Sequence, residues 1–315
     1  MHDMKVLMLF LDGVGIGEGD AGRNPFLRAD LPALRSLLSG NIPTRQLPAL
    51  SNGKATLVAL DATLGVDGLP QSGTGQTALF TGANAARMIG KHFGPYPYST
   101  LRPLIAERNM FRQLQRLGHS AYFANAYPRQ FFDYIRERQS RLTVTTLSCG
   151  YAAMPLHTFE DLQHGRAISA DITNAGWARM GYDIASISPE EAGKRLVGLS
   201  REYDFVLFEY WRTDKAGHAQ SMSEAVATLE LFDRMLSGVL ETLPVHDTLL
   251  LITSDHGNME DLSIKVHTRN PVPAILYGRD HRRAAERLAR TGDLTAVTPM
   301  ITGFVSETLT TAQEI

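Results

Sequence analysis

Residues 251–260, Leu-Ile-Thr-Ser-Asp-His-Gly-Asn-Met-Glu, and residues 267–273, His-Thr-Arg-Asn-Pro-Val-Pro, decide the fold of this chain. The run from Thr248 to Ile252 is continuously aliphatic and β-branched, a pattern typical of a strand covered on both faces. Asp255 and His256 follow where Gly257 ends the strand. A carboxylate and an imidazole at a strand end suit a divalent cation. A plain turn is the alternative, because Ser, Asp, Gly and Asn all favour turns.

Composition bounds the class of protein. The chain has 315 residues, 43% of them hydrophobic and 20% charged, which predicts a globular α/β core with room for a modest second domain. The net charge of -2 gives no electrostatic case for binding nucleic acid or an anionic membrane. The single cysteine, Cys149, excludes an internal disulfide, and the apolar run from Val6 to Leu11 is too short for a secretion signal. We therefore expect a cytoplasmic enzyme.

A second apolar strand is predicted over Lys5 to Leu11, followed by Asp12 and a loop rich in glycine up to Gly19. Asp12 then lies at the carboxyl end of the strand, where open α/β folds place their ligands. A dinucleotide-binding fingerprint is the alternative. It is disfavoured because the glycines do not open a helix at once and because Asp12 would repel a pyrophosphate.

A hydroxyl-rich segment, Gln71-Ser-Gly-Thr-Gly-Gln-Thr77, leads from an apolar run over 56–64 into a helix expected over 78–88. Ser72 and Thr74 lie there beside free backbone N–H groups and the positive end of the helix dipole, which together make an anion site. A plain helix N-cap is the structural alternative.

The middle of the chain predicts a helix over 107–117 and a strand over 120–125, the alternating order of a parallel sheet. From 128 to 188 the pattern loosens and no strong strand is visible. We interpret 128–188 as an inserted cap, and 1–127 with 189–315 as a discontinuous core. The cap carries four close arginines, which form either a solvated helix face or a surface for substrate phosphate: Arg129, Arg136, Arg138 and Arg141.

Asp214 and His218 follow a further buried strand that begins near Asp204. Their spacing of four residues puts both on one face of a helical turn, where they can share a metal ion. Seven candidate ligands or nucleophiles therefore follow predicted strands or start a helix: Asp12, Ser72, Asp214, His218, Asp255, His256 and His267. Because the ends of parallel strands share one edge of a sheet, we expect these residues to converge there. Two metal ions with a hydroxyl between them is the natural interpretation.

These motifs resemble those of the alkaline phosphatase superfamily, in its metalloenzyme branch with cofactor-independent phosphoglycerate mutase and phosphopentomutase. The resemblance rests on Asp255-His-Gly-Asn-x-Glu260 and His267-Thr-x-Asn-Pro-Val-Pro273, with Asp214-x-x-x-His218 before them. Leu11-Asp-Gly13 matches the first metal ligand of the family, and Ser72 with Gly75 matches its nucleophile motif. The resemblance covers both halves of the core but not 128–188.

The resemblance implies a three-layer α/β core with a mostly parallel sheet flanked by helices, plus the small inserted cap. One metal ion would be held by Asp12, Asp255 and His256, and the other by Asp214, His218 and His267, with Ser72 facing both. Three carboxylates and three imidazoles suit manganese or zinc. We therefore expect two divalent metal ions, Mn or Zn, and a small phosphorylated substrate.

The chain departs from the mutases in two ways. Gln76 stands where they carry a histidine, and the insertion 128–188 is shorter than theirs. A two-metal phosphohydrolase acting on a small phosphate ester or diester through a phosphoserine at Ser72 is therefore favoured. A phosphomutase is the alternative, and an inactive metal-stabilised binding module is a third hypothesis. Arg129 and Arg136 are candidate substrate contacts, as are Lys91 and His92 after the nucleophile helix, which are otherwise solvated loop residues.

Overall fold

A computed structural model describes residues 4–137 and 141–307. An interior strand of its main sheet, β1 (Lys5–Leu11), is apolar on both faces. Val6, Met8 and Phe10 pack into one buried cluster, while the alternate residues Leu7, Leu9 and Leu11 pack into another. Because both faces of the sheet are apolar, helices cover both, and the core has three layers.

The strands of the main sheet lie in the order β2-β3-β9-β8-β1-β7-β4, and β5 pairs with β6 in a separate small sheet. In chain order after β1 they are β2 (Leu50–Ser51), β3 (Ala55–Leu60), β4 (Ala121–Phe123), β5 (Asn125–Ala126), β6 (Ile168–Ser169), β7 (Phe205–Tyr210), β8 (Thr248–Thr253) and β9 (Val272–Tyr277).

The main sheet is mixed, so the expectation of a mostly parallel sheet is wrong. β1 pairs in parallel with β7 and β8, and β4 with β7, but β9 runs antiparallel to both β8 and β3. The reason is the connection after β8: residues 254–271 contain no crossover helix, so the chain returns in the opposite direction. Because β3 is antiparallel to β9, it points the same way as β1, β7 and β8. The carboxyl ends of these strands therefore still share one edge.

Helices cover the two faces of the sheet in two sets. One face carries α2 (Ser72–Thr81), α3 (Ala85–Ile89), α4 (Arg102–Arg108), α5 (Met110–Arg116), α7 (Val144–Tyr151), α13 (His281–Thr291) and α14 (Val297–Val305). The other carries α1 (Pro32–Leu37), α10 (Pro189–Glu202), α11 (Arg212–Ala219) and α12 (Met222–Thr242).

Two helices differ from the expected bounds. The one expected over 78–88 begins at Ser72 and ends at Gly82, whose φ of 71° stops it before α3 begins. The one expected over 107–117 is divided at Asn109, which caps α5 through a hydrogen bond from the backbone N–H of Arg112. Gly82 and Asn109 thus end helices within runs that hydrophobic periodicity alone predicts to be continuous.

The segment 128–188 contributes to more than one layer. Its helix α7 buries Val144, Leu147 and Cys149 in the cluster that covers one face of the sheet. The remaining helices are α6 (Arg129–Glu137), α8 (Phe159–Gln163) and α9 (Ala175–Arg179), and Leu162 and Trp177 belong to a separate small cluster. The proposed division into core and cap stays a prediction.

No helix in the described part of the chain is long and apolar enough to cross a membrane. Cys149 is a free, fully buried thiol within the core. The cytoplasmic location stays a prediction.

Candidate metal centre

The carboxyl edge of the sheet is organised by Glu260, which joins the loop after β1 to the loop after β8. Its Oε2 accepts hydrogen bonds from the backbone N–H groups of Gly15 and Asn258, each at 2.8 Å. Its Oε1 accepts from the Thr268 hydroxyl and from Asn270 Nδ2, the latter at 3.0 Å. A Cβ atom on Gly15 would lie 2.3 Å from Glu260 Oε1, so this close approach requires glycine.

The inner group of the centre consists of Asp12, Asp255 and His256. His256 Nε2 lies 3.3 Å from Asp12 Oδ1 and 3.6 Å from Asp255 Oδ2. Asp255 Oδ1 accepts a hydrogen bond from the Gly13 backbone N–H at 3.3 Å. Within the described residues, neither Asp12 Oδ1 nor Asp255 Oδ2 has a hydrogen-bond partner. Two buried carboxylate oxygens thus face one imidazole nitrogen without being satisfied.

The outer group consists of Asp214, His218 and His267. Helix α11 presents Asp214 and His218 on one face, as their spacing predicts, with His218 Nε2 3.3 Å from Asp214 Oδ2. His267 Nε2 lies 3.6 Å from Asp214 Oδ1 and 3.2 Å from His218 Nε2. Asn258 Nδ2 fixes Asp214 by donating to its Oδ1 at 2.6 Å.

The two groups meet at His256 and His267, whose rings stack with centroids 3.9 Å apart. Asp214 lies between the groups, because ligand atoms of Asp12, Asp214 and His256 also fall within 4.8 Å of one another. Asp214 thus lies near ligand atoms of both groups, and its assignment to the outer group stays a prediction.

Each histidine turns its Nδ1 towards a backbone carbonyl and its Nε2 towards the centre. His267 Nδ1 lies 2.8 Å from the Pro70 oxygen, and His218 Nδ1 lies 2.9 Å from the Lys265 oxygen. His256 Nδ1 lies 3.4 Å from the carbonyl oxygen of the next residue. A carbonyl at Nδ1 favours the tautomer with its proton there, which leaves Nε2 free to bind a cation.

The electrostatics of the two groups differ. Burial would lower the pKa of His256, but the neighbouring carboxylates of Asp255 and Asp12 raise it to about 10. Burial raises the pKa of Asp12, and raises that of Asp255 well above its ordinary value. Burial, together with the charge of His256, lowers the pKa of His267 to about 4. At neutral pH and without metal, His256 therefore carries a proton and His267 does not.

Ser72 is the first residue of α2, and Gln71 occupies the N-cap position without a side-chain capping bond. The Ser72 Oγ instead lies 2.9 Å from His256 Nε2. A Cβ on Gly75 would lie 2.6 Å from the Asp255 backbone oxygen, so glycine lets the first turn of α2 pack directly against the inner group. The hydroxyl therefore faces the centre rather than capping the helix.

Thr74, the alternative candidate for the nucleophile, forms hydrogen bonds with backbone groups. Its Oγ1 donates towards the carbonyls of Gln71 and Phe93, at 3.2 and 3.4 Å, and accepts from the Phe93 N–H at 3.2 Å. Thr74 thereby ties the loop that contains Lys91 and His92 to α2.

Lys91 and His92 line a surface groove with Gln71, next to the start of α2. Lys91 Nζ lies 5.1 Å from the centroid of the Tyr98 ring, and His92 Nε2 lies 3.2 Å from the Val66 carbonyl. Burial lowers the pKa of His92. Both side chains thus have protein partners, and their predicted contact with substrate remains untested.

A cavity of about 470 Å³ lies beside Asp12, between the strand ends and the helices of segment 128–188. Neither Arg129 nor Arg136 is among the described residues that line it. Both are exposed, and Arg136 forms an ion pair with Asp133 on its own helix. Arg138, a further arginine of this cluster, lies outside the described residues.

A family model matches residues 179–306, and its description is the metalloenzyme superfamily. The matched region contains both Asp214-x-x-x-His218 and the motifs from Asp255 to Pro273. This part of the chain thus matches the metalloenzyme superfamily, in agreement with the resemblance of its motifs to the metalloenzyme branch of the alkaline phosphatase superfamily. Divalent metal ions are what this branch leads us to expect at the centre.

Similar proteins of this branch include two named 2,3-bisphosphoglycerate-independent phosphoglycerate mutases. That of Thermomicrobium roseum is 34% identical over 111 residues, which cover 33% of this chain and 21% of the mutase. That of Pyrococcus abyssi is 30% identical over 134 residues, 41% of this chain and 32% of the mutase. The match thus spans about a fifth to a third of the length of these curated relatives.

Solved structures support the fold over the whole described chain. A Pyrococcus horikoshii protein aligns with a TM-score of 0.59 at 15% identity, covering 99% of this chain and all (100%) of that one. The alkaline phosphatase of the Antarctic bacterium TAB5 aligns with a TM-score of 0.51 at 12% identity, covering 98% of this chain and 100% of that one. At such identities the likeness shows an alkaline-phosphatase-like fold and nothing more.

The residues at the centre fit the metal ions of the metalloenzyme branch. Asp12 Oδ1 and Asp255 Oδ2 are buried oxygens without hydrogen-bond partners among the described residues, a costly arrangement that a cation would relieve. The Nε2 atoms of His218 and His267 lie 3.2 Å apart, which suits two ligands of one ion. Carboxylate and imidazole together are the donor set of manganese and zinc sites.

Two features of the site were not predicted as functional. Asn258 and Glu260 lie within the quoted motif, but their part in orienting Asp214 and the glycine loop appears only in the structure. Glu209 is 5% exposed at the end of β7, and burial raises its pKa to about 7. An acid within the otherwise apolar run Phe-Val-Leu-Phe-Glu-Tyr was the signal for Glu209.

Proposed function

We propose that this protein is a metal-dependent phosphohydrolase that transfers a phosphoryl group from a small phosphate ester or diester to Ser72 and then to water. The observation that carries the proposal is the Ser72 hydroxyl, held 2.9 Å from His256 Nε2 of the inner group at the start of α2. We assign one ion to Asp12, Asp255 and His256 and one to Asp214, His218 and His267, with manganese or zinc as the metal.

Bound divalent ions would neutralise phosphoryl charge and favour the ionised form of a nearby hydroxyl. Ser72 supplies that hydroxyl on the first turn of α2, where the helix dipole and free N–H groups stabilise negative charge. The Ser72 oxygen bonds to phosphorus while the bond to the leaving alcohol breaks, and the serine proton ends on that alcohol. Water then attacks the phosphoserine, releasing phosphate and returning a proton to Ser72.

A phosphomutase is the second candidate, because the similar curated proteins are named phosphoglycerate mutases. In that reaction the phosphoryl group on Ser72 would return to another hydroxyl of the same substrate instead of passing to water. Hydrolysis is favoured here because Gln76 stands where the mutases that the chain resembles carry a histidine, and because the insertion 128–188 is shorter than theirs. A mutase must also hold its phosphorylated intermediate away from water.

The test is a panel of phosphate monoesters and diesters, 2- and 3-phosphoglycerate, and matched sulfate and phosphonate esters, incubated with metal-loaded protein. Free phosphate from a monoester, or an alcohol and a monoester from a diester, supports the hydrolase. An isomerised product without free phosphate supports the mutase. Acid-quenched samples analysed by mass spectrometry should carry a phosphoryl group on the peptide of Ser72. The absence of either product and of phosphoserine across the panel would leave a metal-stabilised binding module.

A further inference from the structure

The cavity of about 470 Å³ beside Asp12 is within the size range of pockets that hold small organic ligands. Asp12 belongs to the inner group and also lines the cavity, so a ligand inside it would lie next to the metal centre. The rest of the wall comes from the ends of β5 and β7 and from helices α6, α7 and α9.

Aromatic side chains form much of the cavity wall. Tyr127 and Phe131 stack with their ring centroids 4.1 Å apart, and Trp177 and Trp211 line the same space with Met180. Rings and a thioether offer apolar contact area but no charge for a substrate anion.

The charges on the wall are mostly negative. Asp171 is satisfied locally, since it accepts from the backbone N–H groups of Asn174 and Gly176. Glu209 is 5% exposed and lines the cavity, and its side chain has the Thr145 hydroxyl, not a cation, as its partner among the described residues. Arg212 is the single basic side chain among the described residues of the wall. A buried carboxylate without a cationic partner is costly unless a donor or a cation meets it.

We propose that this cavity binds the leaving group of the substrate, and that Glu209 selects an alcohol with an apolar or aromatic body and an ammonium or other hydrogen-bond donor. The assignment of the cavity to the leaving group rests on the proposed phosphoryl transfer at Ser72. The binding preference of the cavity does not depend on that proposal. It names the substrate class as phosphate esters of neutral or cationic alcohols.

The same wall disfavours an anionic leaving group. A carboxylate such as that of phosphoglycerate is best bound by paired guanidinium donors, whereas this wall offers Glu209 and Asp171 against Arg212. Desolvating a carboxylate next to Glu209 would add repulsion between like charges.

The two tryptophans of the chain are Trp177 and Trp211, and both line the cavity, so intrinsic tryptophan fluorescence reports its occupancy directly. The probes are benzylamine, benzyl alcohol and benzoate, which share a ring but differ in charge. They are titrated at pH 8, above the pKa of about 7 to which burial raises Glu209, so that this side chain is charged. The metal-loaded protein also contains excess inorganic phosphate, which competes with benzoate for the metal ions. We expect benzylamine to bind most tightly and benzoate most weakly, with about a tenfold difference between them. Equal affinities, or tighter binding of benzoate, would overturn the proposal.

Glu209→Gln tests the residue itself, with Glu286→Gln, an exposed acid on α13, as the matched control. The Glu209 variant should lose about tenfold in affinity for benzylamine and little for benzyl alcohol, because only the charged contact is removed. The control should bind all three probes like the parent protein. An unchanged benzylamine affinity in a folded Glu209→Gln protein overturns the role of Glu209. If that variant does not fold, the probe series on the parent protein still decides the preference.

Turnover separates this inference from the proposed function. 4-(Aminomethyl)phenyl phosphate should be hydrolysed with a higher kcat/KM than 4-carboxyphenyl phosphate, and the difference should shrink in Glu209→Gln. Hydrolysis of both esters at equal kcat/KM would contradict the inference and leave the phosphohydrolase standing. Selective binding of benzylamine without hydrolysis of any ester would contradict the phosphohydrolase and leave the cation-selective cavity standing.

Discussion

The inner and outer groups use the same residue types but differ in burial. In the inner group the side chains of Asp255 and His256 are 0% exposed and that of Asp12 is 13% exposed. In the outer group those of His267, Asp214 and His218 are 8%, 19% and 40% exposed. In the inner group, buried charges raise the pKa of His256 to about 10. In the outer group, burial lowers the pKa of His267 to about 4. The difference indicates that the inner group is part of the folded core, while the outer group is more open to metal exchange.

The largest effect is expected from removing the hydroxyl that faces the inner group. Ser72→Ala should lower kcat by roughly 10³-fold or more, because no other described group replaces the nucleophile. Metal content and melting temperature should stay near those of the parent protein. Thr74→Ala is the control. It should keep its activity, because the Thr74 hydroxyl forms hydrogen bonds with backbone groups only. An inactive Thr74→Ala together with an active Ser72→Ala would transfer the nucleophile to Thr74.

Single substitutions in the two groups should differ in kind. His218→Ala should weaken metal binding by roughly 10- to 100-fold and lower the content from two ions towards one, while the fold persists because this side chain is 40% exposed. His256→Ala should also lower the free energy of unfolding by about 3 to 5 kcal/mol, because Asp12 and Asp255 lose their buried partner. Elemental analysis and thermal unfolding measure the two outcomes. Full metal content in both His218→Ala and His267→Ala would remove those histidines from the ligand set.

Glu260 is expected to affect metal binding by both groups, because it joins the loop after β1 to the loop after β8. Glu260→Gln replaces one accepting oxygen with a donor that faces other donors, which should cost roughly 1 to 3 kcal/mol of unfolding free energy. Metal affinity should fall at both groups, since Asn258 and the glycine loop depend on this carboxylate. Chemical denaturation and metal titration test this, with the exposed Glu286→Gln as control. A loss of metal affinity at one group alone would contradict this role of Glu260 in both groups.

Much of the sheet could be predicted from the sequence because its strands are uninterrupted apolar runs. The bounds of β1 agree with expectation, and the start of β7 and the end of β8 each lie one residue from the expected position. The direction of β9 could not be predicted, because a run of apolar residues has no polarity and only the connection after β8 sets it. The start of α2 was also missed: Ser-Gly-Thr-Gly is a poor helix former, and packing of Gly75 against Asp255 overrides that propensity.

The site was partly predictable for a similar reason. Residues that follow strands pointing the same way meet at one edge, so the convergence of Asp12, Asp214 and Asp255 could be expected. The proximity of Asp214 to both groups could not be expected, since it depends on how α11 packs. The cavity wall could not be predicted either. Trp177 and Trp211 are 34 positions apart in the sequence numbering, and they line the same cavity only because segment 128–188 packs beside the strand ends.

The smallest expected effect is a difference in proton release between the two groups. Metal can bind His256 only after the imidazole loses its proton, and its pKa of about 10 means that the proton is present throughout the neutral range. Metal binding to the inner group should therefore release about one proton from His256, and its apparent affinity should fall about tenfold for each pH unit lowered below that value. His267, with a pKa lowered to about 4, is already neutral and should contribute no proton to binding at the outer group above pH 5 or so. Calorimetric metal titrations of the parent protein and of His218→Ala, each in two buffers of different ionisation enthalpy, count the protons. If His218→Ala, which keeps the inner group, releases no proton on binding metal at neutral pH, then His256 is not charged in the metal-free protein and the electrostatic contrast between the two groups is wrong.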